Sequence, residues 1–422
     1  MNVASCGRRY LIYISIILFV CNTVSPMVMD NRYFPWIDHF YTGSDSRHSY
    51  ITAESFFVTG GDAYRIEPRA DKNEQIVSYP ELLGELTFDR VGESLELAGK
   101  TNPIPDDWRW LSDFKSHMCA SLEGQGFMIS GYAPVTKYFG IGVSTLLMRL
   151  NAAVTIAPHQ DVITKLSLNV PGNQAQFTEM VHNFYKQVGI SCASVREVAA
   201  GDTVVYMNLF DVHEYEYKMR KFDWGVWAGI IIPTGLQQDP YNLASIPFGG
   251  NGMWGWFVAP RFEIELKEDL TVGMHARVTK RLDKNIQARI PIGKEQYLFA
   301  PFVDNVCVHP GTTVSGSLYA TFEDLRAGFG IQAKYTAAYH SEDSFRTNAI
   351  QSPLEANFCE IKSRSSFVSE YATIRLFYDI GHDKTWHHRP IVSFTWDIPR
   401  NHIGGKGFAK THRVSLGCTV NF

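Results

Sequence analysis

The chain has 422 residues, a formal net charge of -4, 13% aromatic residues and only 19% charged residues. Charged residues make up roughly 25% of an average soluble protein, so this chain is poor in charge for that class. The near balance of positive and negative charge argues against a nucleic acid as the partner.

The N-terminal segment is typical of a secretory signal. Arg8 and Arg9 precede an uninterrupted apolar run at residues 11–21. A run of about eleven residues is too short for a membrane-spanning helix, which needs roughly twenty. A basic start followed by a short apolar run instead predicts a signal peptide, residues 1–25, that is removed on export. The mature chain would then be 26–422.

Two segments interrupt the strand pattern of the mature chain. The first, 62–122, follows a strand at 48–59 and is predicted to form a cap or a plug, because so long a connection is rarely idle. A helix capped by Asp106 is predicted inside it. The apolar side of that helix carries Trp108, Leu111, Phe114 and Met118. The second segment, 157–202, is predicted to be an outer loop that contains an amphipathic helix at 173–190. The apolar side of this second helix carries Phe177, Val181, Phe184 and Val188.

The other predicted elements are strands, recognised by apolar and polar residues that alternate with period two. In 271–281, for example, Val272 and Met274 lie opposite His275 and Arg277. About twelve strands are predicted: 48–59, 125–133, 138–157, 201–220, 224–234, 254–266, 271–281, 312–322, 327–339, 367–380, 390–399 and 408–422.

The connections between these strands alternate between tight turns and long loops. The tight turns are 220–223, 267–270, 323–326 and 381–385. The long loops are 157–202, 235–252, 293–311 and 341–366. Such alternation, with an even strand number, is typical of barrels whose turns face the periplasm, whereas a soluble sandwich gives no reason for it. The sequence therefore predicts an all-β fold, an antiparallel transmembrane β-barrel of about 12 strands with helical inserts in the outer loops.

The last strand adds an indication of location. Val414, Leu416, Cys418, Val420 and Phe422 share one face, and the chain ends on this aromatic residue. The segment resembles the closing strand of bacterial outer-membrane β-barrels of the porin type. That resemblance implies export to the outer membrane of a Gram-negative bacterium. It also implies contact with outer-membrane lipid, and with the barrel assembly machinery through the Phe422 strand. The oligomeric state stays open.

A further resemblance concerns residues 224–235, a strand that ends in Pro-Thr-Gly before a long loop. This stretch resembles the long-chain fatty-acid and hydrocarbon transporter barrels. Those barrels have more strands and a plug that precedes the first strand, whereas the insert at 62–122 follows it. No binding residue is therefore carried over from that family.

Charged side chains opposite the apolar faces are expected to line a lumen and to form its constriction. They are Glu214, Glu216, Lys218, Arg220, Arg261, Glu263, Glu265, His275, Arg277, Lys334, Arg375, Asp379, Asp397 and Arg413. Rings of charge set the selectivity of a pore, and the mixed signs here argue against strong preference for cations or anions. In the alternative interpretation, the same charges form a salt-bridged interior that only maintains the shape of the barrel.

The predicted function is an outer-membrane channel or uptake porin that passes small solutes, apolar ones included. One alternative is a surface-exposed adhesion or structural barrel with a plugged lumen, and another is a barrel hydrolase. The sequence contains no nucleophile with a base at a diagnostic spacing. It also contains no metal-spaced cluster of His and Cys, so we expect neither an enzyme nor a cofactor.

Cysteines provide one more prediction. Cys119, Cys192, Cys307 and Cys359 all lie in predicted outer segments, and an exported protein meets an oxidising compartment. Neighbouring loops could bring pairs within the distance that a disulfide bond needs. Four cysteines allow three pairings, and the sequence alone does not choose among them. Because the members of each pair lie in successive outer connections, Cys119–Cys192 and Cys307–Cys359 are the favoured pairs.

Overall fold

A closed antiparallel barrel of twelve strands is the main feature of the structure, a computed structural model. The described residues are 31–35, 47–66, 76–105, 108, 115–158, 160–168, 170–215, 220–267, 269–347, 355–382 and 389–422. The barrel strands are β1 Tyr50–Gly60, β2 Lys115–Pro134, β3 Phe139–Ala157, β4 Thr203–Glu214, β5 Lys221–Ile232, β6 Gly255–Lys267, β7 Leu270–Arg281, β8 Thr312–Arg326, β9 Phe329–His340, β10 Phe367–Asp379, β11 Arg389–Arg400 and β12 His412–Asn421. The predicted fold class is confirmed.

Closure of the barrel joins its first and last strands. Each strand pairs with its chain neighbour, and β12 pairs with β1 over residues that include Thr419 and Thr52. The hydroxyl groups of these two threonines lie 2.9 Å apart. At the end of the chain, the Phe422 N–H donates to the Ser49 carbonyl oxygen at 2.8 Å. The final strand therefore leaves no open edge.

The outer surface is an apolar belt, as the period-two pattern predicts. On β8, Leu318 is 65% exposed whereas its neighbour Ser317 is 4% exposed. Other exposed apolar side chains of the belt include Ile51, Phe57, Phe127, Leu147, Val205, Met207, Phe262, Met274, Ile374, Phe394 and Leu416. Large aromatic residues mark both ends of the belt: Trp254, Trp256 and Tyr339 at one end, and Tyr138, Tyr215, Tyr378 and Phe422 at the other. Such aromatic girdles are a property of membrane barrels.

The two ends of the barrel differ in their connections. Short turns join β2–β3, β4–β5, β6–β7, β8–β9 and β10–β11 at the turn end, where β1 begins and β12 finishes. The β8–β9 turn contains Ala327 and Gly328 at φ 49° and 87°, a conformation that suits the twist of a tight hairpin. Long connections join the strands at the opposite end, the loop end.

The long connections contain the remaining secondary structure. The helices are α1 Phe88–Leu97, α2 Gln160–Lys165, α3 Pro171–Val188 and α4 Cys359–Ser365, with 3-10 helices at Tyr79–Leu83 and Tyr297–Phe299. The short strands are Asp62–Tyr64, Ile76–Ser78, Leu86–Thr87, Ser194–Ala200, Lys284–Ile290, Phe302–His309, Ser344–Arg346 and Phe408–Ala409. No helix in the described ranges has the length and apolar character needed to cross a membrane.

These connections and residues 31–35 together form what we call the cap. The amphipathic helix expected at 173–190 is α3, which begins at a proline and ends at Gly189 in a left-handed conformation of φ 73°. Phe88 of α1 stacks on Phe184 at 5.3 Å and meets Phe177 edge-on at 6.1 Å. The same buried cluster includes Val58, Leu122 and Met148 of β1, β2 and β3. The cap is therefore packed against the inner wall of the barrel at the loop end.

The insert at 62–122 is shorter than predicted, because residues 115–122 belong to β2. Met118, expected on a helix capped by Asp106, lies in this strand and is paired with Ile156. Asp106, Leu111 and Phe114 lie outside the described residues, as does the predicted signal peptide. The error arose from one face of β2 being covered by the cap. The apolar residues that precede and begin β2, taken together with Trp108, recur at a spacing that also fits a helix.

The predicted disulfide bonds are absent, since Cys119, Cys192, Cys307 and Cys359 are all free thiols. Cys119 is paired with Thr155 of β3, and a hydrogen bond from Val154 N to the Ala193 carbonyl places Cys192 on the other side of β3. Two strand spacings of about 4.8 Å each therefore separate these cysteines. A disulfide bond requires Cα atoms within roughly 4.4–6.8 Å.

The second predicted pair is separated by secondary structure. Cys307 lies within the strand Phe302–His309, where its neighbours across the sheet are Asn285 and Arg346. Its Sγ lies 3.7 Å from the Nε2 atom of His309. Cys359 begins α4, which lies outside this sheet. The loops that contain the two cysteines are neighbours, but the positions within them do not meet.

Candidate functional site in the barrel lumen

The predicted lumen residues fall into three groups. Six are buried on the inward faces of the strands: Arg261, Glu263, His275, Arg277, Asp397 and Arg413. Four are partly exposed along the same faces: Glu265, Lys334, Arg375 and Asp379. Glu214 and Arg220 lie at the turn-end rim, where they form ion pairs with Arg47 at 2.7 Å and Glu265 at 3.3 Å. Glu216 and Lys218 lie outside the described residues.

Arg261, midway along β6, is the centre of the first charged cluster. Its guanidinium group lies 2.9 Å from Asp223 on β5 and 3.4 Å from Glu263. The Tyr319 hydroxyl donates to Glu263 at 2.5 Å, and the guanidinium carbon lies 5.1 Å from the centre of the Trp227 ring. All of these groups are buried, so the acids neutralise the arginine inside the lumen. Without them, an ionised group in this position would be costly.

Arg413 of β12 is the centre of a second cluster on the opposite side of the barrel. Its Nε atom lies 2.6 Å from Asp397 of β11, and its Nη1 atom lies 3.4 Å from Glu54 of β1. The Thr373 hydroxyl donates to Asp397 at 2.6 Å. These groups therefore link four consecutive strands across the closure of the barrel.

Aromatic side chains fill the inner face of the N-terminal half. The guanidinium group of Arg277 lies over Phe257, 4.1 Å from the ring centre. At the turn end, Tyr50 stacks on Tyr132 at 5.5 Å, and its hydroxyl lies 3.5 Å from that of Tyr206. We call the inward aromatic residues of β1 to β6 the aromatic wall. Its members are Tyr50, Phe56, Tyr132, Tyr206, Phe210, Trp227 and Phe257.

Inward glycines allow the aromatic rings to lie flat on the strands. A Cβ atom added to Gly142 would lie 2.2 Å from the ring of Tyr206, and one added to Gly273 would lie 2.3 Å from the ring of Tyr319. Both distances are far below van der Waals contact. Larger residues at these positions would therefore displace the rings into the lumen.

The C-terminal half of the barrel presents mainly small hydroxyl side chains instead. We call this set the hydroxyl wall: Thr313, Ser315, Ser317, Thr321, Thr336, Ser369, Thr373, Ser393, Thr395, Ser415 and Thr419. Several bond to one another or to an amide, as Ser317 does to Thr336 at 2.9 Å and Thr321 to Gln332 at 2.8 Å. This wall is polar but offers no strong charge of its own.

Partly exposed charges of both signs lie next to the hydroxyl wall, among them Lys334, Arg375 and Asp379. Lys334 of β9 is paired in register with Thr373 of β10, and Arg375 with Gln332. Most of the inward acids are held by arginines, Asp223 and Glu263 by Arg261, and Asp397 and Glu54 by Arg413. Asp379 lies at the turn end of β10. Lys334 and Arg375 are the partly exposed cations beside this wall.

Sequence reasoning missed several residues of these clusters. The predicted strand begins at 224, which leaves Asp223 in a turn. In the structure this strand begins at Lys221 and includes Asp223. Glu54 lies in the strand with the least regular pattern. Trp227 and Tyr319 were not singled out, because an inward ring and an outward ring are the same apolar residue in a sequence. Asp202 was also missed; it lies in the cap and holds Arg281 at 2.8 Å.

The closed barrel, apolar belt and polar interior define a membrane β-barrel of the outer-membrane type. No family model and no curated protein matches the chain. One similar solved structure is an outer membrane channel from Pseudomonas putida F1, with 9% identity, a TM-score of 0.48 and coverage of 92% of this chain and 100% of that one.

Two further solved structures are similar at lower scores. A mutant of the monoaromatic hydrocarbon channel TodX has 10% identity and a TM-score of 0.35, with 95% and 99% of the two chains covered. The translocator domain of the autotransporter NalP from Neisseria meningitidis has 8% identity and a TM-score of 0.33, with 91% and 90% covered. Identities this low concern the general architecture and carry no information about a solute.

Proposed function

We propose that the protein is a channel of the bacterial outer membrane that takes up small solutes. The observation that carries this proposal is the hydroxyl wall together with the partly exposed Lys334 and Arg375, a set of polar and mostly small side chains along the inside of a closed barrel. The small side chains of the hydroxyl wall need to move little for a solute to pass beside them. The large rings of the aromatic wall would have to move much further. Most of the buried acids of the lumen form ion pairs within the two clusters around Arg261 and Arg413.

The same proposal includes the route to the membrane. Residues 1–25 would direct export, and the β12 strand ending at Phe422 would be recognised by the barrel assembly machinery. The exposed aromatic side chain of Phe422 at the turn end supports this role. The apolar belt would then contact outer-membrane lipid, with the cap on the cell surface.

Single-channel conductance in planar bilayers tests the proposal. Because the charged clusters are buried and the cap packs on the inner wall, we expect brief, low-conductance openings from the intact protein. Replacement of residues 66–114 by a short Gly-Ser linker, which leaves β2 intact, should produce larger and longer openings. A heat-modifiable gel shift must be retained in both proteins as the control for folding.

A second candidate function is a surface-adhesion barrel whose lumen stays plugged. The buried cluster that includes α1 residues together with Val58, Leu122 and Met148 favours it, because this cluster lies at the loop end, inside the barrel wall. Absence of conductance in both the intact and the shortened protein would favour adhesion and overturn the channel proposal. Assays for hydrolysis of lipids or peptides by the reconstituted protein test the remaining alternative, an enzyme, which we do not expect.

A further inference from the structure

A cavity of about 220 Å³ lies within the cap, among the long connections at the loop end. Residues 31–33 and the connections after β5, β7 and β9 contribute to its lining. Much of the wall is apolar. The apolar lining includes Leu243, Met253, Ile286, Leu298, Val308 and Phe345. The cavity is distinct from the ion clusters of the lumen.

Two buried arginines line this cavity. Arg289 is 2% exposed and Arg32 is 7% exposed. Arg289 donates to the carbonyl oxygens of Pro240, Val188 and Ala300 at 2.8–2.9 Å. Arg32 donates to the carbonyl oxygens of Arg364 and Ser365. Both guanidinium groups are therefore fixed in place by backbone oxygen atoms.

Each of these arginines also keeps one buried nitrogen atom without a hydrogen-bond partner within the described ranges, Nη2 of Arg289 and Nη1 of Arg32. Neither forms an ion pair with a carboxylate of the described residues. Burial lowers the pKa of Arg289 to about 10 and also lowers that of Arg32. A buried guanidinium group without a directly contacting carboxylate is stabilised by an anion that reaches it.

The acids around the cavity are already engaged. Asp343 accepts hydrogen bonds from Gly311 N at 2.7 Å and contacts His340 Nε2 at 3.0 Å. Asp239 accepts from Tyr241 N at 2.9 Å. The third arginine of the lining, Arg281, is paired with Asp202. Asp239 acts on Arg289, and Asp343 acts on Arg32, only from beyond ion-pair distance. Neither arginine therefore has a directly contacting carboxylate among the described residues.

We propose that this cavity binds a small organic carboxylate, with the carboxylate drawn to the buried arginines of the lining and the apolar body against its apolar side chains. A cavity of roughly 150 Å³ holds one benzene ring, so about 220 Å³ accommodates one ring or a short branched chain with its carboxylate. The inference deepens the proposed function, because it names the solute class that the cap would collect for the channel.

Equilibrium dialysis of benzoate against the full-length protein in detergent tests the proposal, with benzamide as the neutral isostere. We expect saturable binding of benzoate and at least tenfold weaker binding of benzamide. Arg289→Gln and Arg32→Gln should each weaken benzoate binding by about tenfold or more, as for hydrogen bonds to charged groups. Arg196→Gln, on an exposed arginine of the strand Ser194–Ala200, is the matched control and should bind as the wild type does.

Equal binding of the two ligands, unchanged binding by both arginine variants, or no saturable binding by the intact protein would each overturn the proposal. If the arginine variants do not fold, Ala288→Leu fills the cavity and keeps both charges; it should abolish benzoate binding with the gel shift retained, and persistent binding would refute the site. Binding without conductance would refute the channel and leave the site standing. Conductance without benzoate binding would refute the binding site and leave the channel standing.

Discussion

The two halves of the barrel interior are built differently although their outer surfaces are alike. The aromatic wall of β1 to β6 places large rings over inward glycines, as Tyr206 lies over Gly142. The hydroxyl wall of β8 to β12 consists mainly of Ser and Thr side chains that bond locally. One half therefore presents mainly large rings to the interior, and the other presents mainly small hydroxyl groups.

This difference indicates which wall is rigid and which wall lies beside the proposed path of the solute. Stacked rings and buried ion pairs must be disrupted together before the aromatic wall can move, because interiors are closely packed. Hydroxyl side chains exchange hydrogen bonds with water at little net cost. We therefore expect substitutions in the aromatic wall to change stability most, and substitutions in the hydroxyl wall to change conduction most.

The largest effect should follow from Arg261→Met. The substitution leaves Asp223 and Glu263 buried without their cation, which costs about 3–5 kcal/mol for a buried pair. The temperature of the heat-modifiable gel shift should fall accordingly. Arg375→Met, a partly exposed arginine beside the hydroxyl wall, is the matched control. Equal destabilisation by both variants would contradict the distinction between the two walls.

A smaller loss of stability is expected from Gly142→Val. Its side chain would overlap the Tyr206 ring, and overpacking of this kind costs about 1–3 kcal/mol. Tyr206→Ala in the same chain should restore part of the loss, which urea unfolding in detergent would measure. The control is Gly316→Ala, since nothing lies within 4 Å of a Cβ atom at that position. If Tyr206→Ala restores no stability, the overlap between the Tyr206 ring and the side chain at position 142 is not the cause of the loss.

Conductance should respond in opposite directions to changes of side-chain volume on the two walls. Ser393→Phe places a ring beside the proposed path and should reduce the conductance of the shortened protein severalfold. Phe257→Ala removes a ring from the aromatic wall and should leave conductance equal or higher. If both variants reduce it alike, the path does not follow the hydroxyl wall.

The smallest effect should be on ion selectivity. Lys334→Ser and Arg375→Gln remove the partly exposed cations beside the hydroxyl wall, so a preference for chloride over potassium should decrease in reversal-potential measurements. The effect should be modest and decrease at high salt, because exposed charges are screened. Glu214→Gln, at the turn-end rim, should leave the reversal potential unchanged.

The sequence by itself determined the barrel. A strand was predicted within each of the twelve barrel strands, most of them from period-two alternation, because lipid on one side and a polar interior on the other impose the same constraint along the strand. In β7, for instance, Met274 faces outward and His275 inward, as predicted. The helix α3 was found for the same reason, since one apolar face packs into the core with period 3.6.

Alternation failed where a strand leaves the membrane. Residues 115–122 of β2 continue beyond the end of β1, where the cap covers one face and water replaces lipid on the other. The pattern there lost its contrast, and a helix was predicted instead. The disulfide prediction failed because two cysteines in neighbouring loops need not lie close together. Cys119 and Cys192, for instance, are separated by β3.

Only the tertiary structure decided how the inward charges are partnered. Arg261 is joined to Asp223 of the preceding strand, and Arg413 is joined to Glu54 at the other end of the chain. Such pairs depend on register between strands and on closure of the barrel, which a single sequence does not encode locally. The same holds for Arg289 and Arg32, which are far apart in the chain and line one cavity because the cap brings several long connections together.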